Sequence, residues 1–378
     1  MFPVVTVTGS AYERGRQYGE QARGRVHRSV AQYADMFGYL AGWDWSRATA
    51  EAQRFVPSID GFAPQYLDEM RGLAEGAGVS LEDIVAVNVR TEVMSAARVR
   101  AALAGRGMAA PEECSVFANS APGQHVLAGQ NWDWLPFARD TVVVVRARPD
   151  DGPSYITVVE AGLLAKFGVN SDGFAVMTNA LACTEDNGNL GVPYHVMLRA
   201  LLDCATTQEG LTRLRQAERA SSANYLLVDE TGDAVDVEAR PGGASALHEL
   251  RPDRHGMLLH TNHFVSPEFD SIDYADLVAS TSQFRLKQMT SQVTATTGDS
   301  DAVEVETFSH ALSDHTEFPD SVCRHPDLSL PPQEQTLTVA SAVVDLTERR
   351  MWLSEGPPCE RGYEELDVST LGATTVSP

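Results

Sequence analysis

The sequence predicts an α+β protein in which mainly antiparallel sheet is layered with helices. Candidate strands crowd the middle of the chain, separated by turn signals and not by the helices of a repeating βαβ unit. Helical periodicity comes before that stretch, between its strands and after it. Near the end two further strands lie close enough in sequence to pair as a hairpin.

Val4 to Thr8 alternates as a short strand, and Ala11 to Leu40 is helical in character, broken by glycines. From Ala63 to Ala77, the residues Ala63, Tyr66, Leu67, Met70, Leu73, Ala74 and Ala77 recur at helical spacing, and Gly76 and Gly78 stop the helix. Ser80-Leu81-Glu82-Asp83 then predicts an N-cap with an acidic first turn, opening a helix through Val93. "RVRAALAGRGMAAPEE", Arg98 to Glu113, is rich in Ala, Gly and Arg and reads as an exposed linker. Cys114 heads the next segment. Strands are predicted over Ser115–Asn119, Val126–Gln130, Thr141–Ala147, Ser154–Glu160, Lys166–Asn170 and Phe174–Asn179. Helices follow at about Tyr194–Asp203 and Gln208–Ala217, strands at Asn224–Asp229 and Ala234–Glu238, and helices at Ser280–Thr290 and Val303–Asp314. Thr336–Asp345 and Met351–Ser354 form the hairpin, and the polar tail after Leu366 is expected to fray.

Apolar residues at 43% and charged residues at 21% fit a soluble globular enzyme. A net charge of -23 repels phosphates and anionic lipid, so neither nucleic acid nor membrane is an expected partner. The opening "MFPVVTVTGS" lacks the basic region and apolar core of a secretory signal. Five scattered cysteines without a Cys-x-x-Cys pair predict reduced thiols in a cytoplasm, with no disulfide framework and no zinc ribbon.

No Gly-x-Ser-x-Gly elbow, phosphate loop or dinucleotide fingerprint is present. His260-Thr261-Asn262-His263 closes a strand-like run and reads as ordinary polar residues; Asp314-His315 and His325 complete no recognisable ligand set, so no metal is expected. A lone cysteine is most often a small buried hydrophobe. Cys114, however, starts a strand directly after the linker. Cutting the Glu113–Cys114 bond would give it both a thiol and an α-amine, and the amine, with a pKa near ~8, would serve as base for its own side chain.

The chain resembles the acyl-coenzyme A:6-aminopenicillanic acid acyltransferase family, the C45 cysteine N-terminal nucleophile hydrolases. The resemblance runs in order through "YLDEMRGLAEGAGVSLEDIVAVNVRTE", "CSVFANSAPGQHVLAGQNWDW", "KFGVNSDGFAVMTNAL", "HTNHF", "SVCRHPD" and "VVDLTERRMWLSEGPPCE". It implies a four-layer αββα fold and self-cleavage between Glu113 and Cys114. The products would be an α fragment, 1–113, mostly helical and ending in the linker, and a β fragment, 114–378, carrying the nucleophile and most of the sheets, interwoven as one domain. By motif, Cys114 is the nucleophile, and Asp133 of the Asn-Trp-Asp turn supports the freed amine. Asn262 supplies the oxyanion-hole amide, and Arg324 is a buried arginine whose expected partner is Asp133. The implied reaction acts on the amide of a small N-acyl amine or amino acid through a cysteine thioester. No cofactor is expected. With few basic residues and no phosphate-binding loop, hydrolysis is favoured, and a coenzyme A thioester is kept as an alternative acyl donor. The competing reading is an unprocessed, non-catalytic small-molecule-binding or scaffold protein. The chain departs from the family archetype at Glu113, where glycine stands, and at Val116, where a hydroxyl residue stands; here the hydroxyl is at Ser115.

Overall fold

Ser10 and Glu13 cap each other reciprocally, side chain to backbone, and start α1 (Ala11–Ala41). The computed structural model, which describes residues 1–105, 114–297 and 303–372, shows α1 as one unbroken helix where glycine breaks were expected. The glycines serve a helix crossing. After α2 (Trp45–Ala52) and α3 (Val56–Phe62), neither of them predicted, comes α4 (Pro64–Ala77). A Cβ at Gly15 would stand 2.0 Å from the Glu69 carbonyl oxygen, and one at Gly72 would stand 2.0 Å from that of Tyr12. Only hydrogen at these positions lets α1 and α4 touch backbone to backbone.

The Ser80 capping box opens α5 (Leu81–Asn88) as predicted, but the helix breaks at Val89 and restarts as α6 (Arg90–Leu103). The first part of the predicted linker is therefore helix, and Arg98, Val99 and Ala101 are buried within it. Alanine, arginine and leucine favour helix, and composition alone misread them as linker. Glu113 and the rest of that stretch from 106 lie outside the described residues.

Two sheets follow. The first runs β1 (Val4–Gly9), β4 (Val142–Pro149), β5 (Tyr155–Glu160), β6 (Phe167–Asn170), β7 (Phe174–Ala180), β8 (Ala223–Asp229), β9 (Ala234–Ala239) and β10 (Leu247–Leu250). Its β1–β4 pair is parallel and its other pairs are antiparallel. The second sheet, antiparallel throughout, runs β11 (Met257–His260), β2 (Ser115–Asn119), β3 (Leu127–Trp134), β12 (Leu337–Asp345), β13 (Arg350–Glu355) and β14 (Glu364–Asp367). The sheets face each other, with β2 and β3 against β7, and Gln130 Oε1 accepts from Thr178 N at 2.9 Å across the gap. Helices α1 and α4 to α6, together with α7 (Tyr194–Leu201) and α8 (Thr207–Gln216), cover the first sheet. On the second sheet lie α9 (Ser282–Thr297) and α10 (Val305–Leu312), with the short α11 (Pro358–Arg361) after β13. The architecture is the four-layer αββα sandwich of an α+β fold.

Two sequence expectations change here. Asn131 to Trp134 is the end of a strand and not a turn, since β3 continues to Trp134 against β12. The segment after Leu366 does not fray at once, because Val368 and Leu371 are buried in the main core. Among the described residues, no helix is long and apolar enough to cross a membrane.

Candidate active site

Strand register gathers the site at one end of the second sheet. His260 pairs with Val116, so continuing that register carries the chain through Thr261 and Asn262 alongside Ser115 and Cys114. Ser115 pairs with Asn131, which sets Cys114 beside the end of β3, and Asp133 pairs with Thr338 of β12 next to an irregularity between Thr338 and Ala340. Residues far apart in sequence meet here because four strand ends meet here.

Cys114 is 2% exposed, and its Sγ lies 3.8 Å from the carbonyl oxygen of Asp133. Asp133 is wholly buried. Its Oδ1 accepts from Thr338 Oγ1 at 2.6 Å, and its Oδ2 has no hydrogen-bond partner among the described residues. Burial pushes this carboxyl up to about 8, against the opposing pull of the Arg285 charge and the Thr338 hydrogen bond.

Arg285, absent from the sequence-derived candidates, holds the site together. Its Nη1 donates to the Cys114 carbonyl oxygen at 2.8 Å and to Ser115 Oγ at 3.0 Å, and its Nη2 donates to Asn262 Oδ1 at 2.9 Å. Burial lowers the guanidinium to about 10, with the Asp133 and Cys114 charges opposing, so it is cationic at neutral pH. A signal for it exists in the sequence. Ser282, Arg285, Met289 and Val293 are the buried stripe of α9 at helical spacing, and a charged residue on such a stripe needs partners.

Asn262 is fixed from three sides. Arg285 takes its oxygen, its Nδ2 donates to Ala180 O at 2.8 Å, and its backbone N–H donates to Ser282 Oγ at 2.6 Å. Because Arg285 only donates, the side-chain oxygen must face it, which leaves the amide NH2 on the far side. Preceding it, His260 is buried against Glu238, with Nε2 to Oε1 at 2.8 Å. Burial pulls the His260 imidazole down, but Asp236 and Glu238 outweigh this and leave its pKa raised. His263 Nδ1 lies 2.7 Å from Ser282 Oγ. Both histidines thus brace the Asn262 loop.

Arg324 is buried beside the site, but its side chain does not hold Asp133 as the sequence led us to expect. Its Nη2 pairs with Asp320 and its Nη1 donates to Thr281 Oγ1 at 3.0 Å, a hydroxyl that also accepts from Arg285 Nε at 3.3 Å. The backbone N–H of Arg324 reaches Asp133 indirectly, donating at 2.9 Å to the Thr338 hydroxyl that bonds the carboxylate. Asn131 ties in the same segment, donating to Leu312 O and Val322 O, both at 2.8 Å. Val116, where the archetype has a hydroxyl, is fully buried, and the Ser115 hydroxyl faces Arg285.

Further along that segment the structure gives His315 and His325 partners that sequence spacing did not reveal. One ligand-type atom from each of His315, Cys323, His325 and Cys359 lies within 4.8 Å of the others.

The site is one of buried, polar, cross-linked groups around a thiol. Residues 120–360, well over half of the chain, match the family described as acyl-coenzyme A:6-aminopenicillanic acid acyl-transferase, and the chain belongs to that family. The matched stretch opens just after Cys114 and takes in Asp133, Asn262, Arg285 and Arg324. The acyl-coenzyme A:6-aminopenicillanic-acid-acyltransferase 40 kDa form of Emericella nidulans is 26% identical over 263 residues, 68% of each chain. Among solved structures, a mutant conjugated bile acid hydrolase from Clostridium perfringens aligns with a TM-score of 0.46 at 13% identity, over 69% of this chain and 94% of that one. Penicillin V acylase from Agrobacterium tumefaciens aligns with a TM-score of 0.42 at 14% identity, over 68% and 86%.

Proposed function

We propose that this chain is a self-cleaving cysteine N-terminal nucleophile enzyme that opens the amide bond of a small N-acyl amine or amino acid through a thioester on Cys114. The observation that carries this reading is the Arg285 guanidinium. It fixes the backbone of Cys114 and the amide of Asn262 with one set of hydrogen bonds, beside the buried carboxyl of Asp133.

In maturation, Cys114 Sγ attacks the carbonyl carbon of Glu113. The C–S bond forms as the C–N bond breaks, the thiol proton passing to the nitrogen to free the Cys114 α-amine, and water then hydrolyses the thioester to give the Glu113 carboxylate and the free Cys114 thiol. Fragments 1–113 and 114–378 stay together because the first sheet takes its edge strand β1 from one and its remaining strands from the other. In turnover the α-amine takes the thiol proton, and the thiolate adds to the substrate carbonyl. The developing oxyanion is met by a preorganised donor, the role we assign to the Asn262 amide. The proton passes to the departing amine, and water attacks the thioester. Asp133, with an unpaired Oδ2, is the acceptor for the α-ammonium. We place the enzyme in the cytoplasm, with hydrolysis ahead of acyl transfer; a coenzyme A thioester is the donor if transfer operates.

The test is acid-quenched mass spectrometry after incubation with a panel of N-acyl amino acids and amides. The expected product is an acyl adduct on the peptide beginning at Cys114, removed by hydroxylamine. Protein that turns over none of the panel and forms no adduct would favour the non-catalytic binding reading.

A further inference from the structure

His315, Cys323, His325 and Cys359 come from three places: the turn after α10, the loop bearing Arg324, and α11. Four of their six separations match the edges of a tetrahedron, and the other two, from His315 to the sulfurs, are no longer than 4.8 Å. With Zn–S near ~2.3 Å and Zn–N near ~2.0–2.1 Å, a regular site has edges of about 3.8 Å between sulfurs, about 3.3 Å between nitrogens and about 3.6 Å between unlike atoms. Here Cys323 Sγ and Cys359 Sγ are 3.6 Å apart, His315 Nε2 and His325 Nε2 are 3.1 Å apart, and His325 Nε2 stands 3.8 and 3.4 Å from the two sulfurs. All four distances fall within a few tenths of an ångström of the corresponding edge. Two thiols and two imidazole nitrogens held this close have no better common partner than one soft-to-borderline divalent cation.

A second observation points the same way. His325 Nδ1 lies 3.4 Å from the Glu360 carboxylate. The neighbouring negative charge favours the proton on Nδ1 and leaves the lone pair on Nε2, the atom that faces the cluster.

We infer that these four residues form a structural zinc(II) site. Four protein ligands close the coordination shell and leave no position for substrate, so the metal would act as a staple. It would pin the Arg324 loop to the end of the terminal hairpin. Arg324 sits between ligands Cys323 and His325, and its backbone supports the Thr338–Asp133 pair. The staple therefore lies next to the acyl chemistry without entering it.

The experiment uses full-length protein, purified with a reductant and without chelator, and assayed for zinc after acid digestion. One zinc per chain is expected. Protein stripped by chelation and titrated with cobalt(II) should develop the visible bands of tetrahedral cobalt and a near-ultraviolet thiolate-to-cobalt band, saturating at one equivalent. Cys359→Ser and His315→Ala alter exposed residues, circular dichroism checks that each still folds, and each should bring zinc below one per chain. Cys359→Ser should reduce the thiolate band to about half, one sulfur in place of two. Glu360→Gln should weaken zinc binding by ~10–100-fold. Cobalt bound without a thiolate band overturns the proposal. So does reduced wild-type protein that binds zinc no more tightly than Cys359→Ser, or that carries a Cys323–Cys359 disulfide and takes up no metal after its reduction.

Discussion

Replacing Asp133 by asparagine in the uncut chain isolates what its burial does. The uncut state is fixed by making the change in a Cys114→Ala background. Burial raises the carboxyl from 3.8 to about 8, so the folded chain keeps it protonated where the unfolded chain has released the proton. A raised folded pKa gives stability that is full below about pH 4 and is lost as pH climbs towards 8. At pH 7 the loss is at most ~4 kcal/mol, and at pH 5 it is ~2 kcal/mol. Asparagine keeps the oxygen that accepts from Thr338 and cannot ionise, so it escapes this loss. At ~2.1 cal/mol/K per residue, the 378-residue chain has an unfolding entropy near ~0.8 kcal/mol per degree. Asp133→Asn should therefore melt up to ~5 °C above its parent at pH 7 and ~2 °C above it at pH 5, by scanning calorimetry. A variant that melts lower than its parent at pH 7, or by a margin that ignores pH, would show the carboxylate ionised in the fold, with the Arg285 charge outweighing burial.

Three further outcomes are expected. Arg285→Lys loses the planar fork that holds the Cys114 carbonyl and Asn262 together, and turnover should fall ~10²-fold or more, mainly in kcat, as read by steady-state kinetics. Asn262→Ala should cost ~10²–10³ in turnover while far-ultraviolet circular dichroism stays unchanged; a near-normal rate would remove it from the oxyanion site. Gly72→Ala puts a methyl 2.0 Å from the Tyr12 carbonyl oxygen and should destabilise the chain by ~1–3 kcal/mol or more in urea titration, by prising α1 from α4.

Local chemistry was legible in the sequence wherever a neighbour a few residues away decides the structure. The Ser80 cap, the boundaries of β2 and the terminal hairpin are of this kind. Glycines in α1 were misread because their reason is a second helix more than fifty residues on, which no local pattern displays. Asn-Trp-Asp looked like a turn by composition and is strand because β12 pairs with it. In the site, Cys114, Asp133, Asn262 and Arg324 lie together where four strand ends meet, but Arg324 pairs with Asp320, and the guanidinium whose charge acts on Asp133 is Arg285. Arg285 hid inside an ordinary-looking helix, where only its place on the buried stripe marks it. The four-residue cluster was invisible for a related reason, since Cys323 and Cys359 stand 36 residues apart and meet through the hairpin.

The most direct test of the central claim is the intact mass and N-terminal sequence of the purified wild-type chain beside Cys114→Ala. Self-cleavage by Cys114 predicts two co-purifying fragments in the wild type, the second beginning Cys-Ser-Val-Phe, and a single chain in the variant. A wild-type chain that stays whole while fully active would contradict the N-terminal nucleophile mechanism.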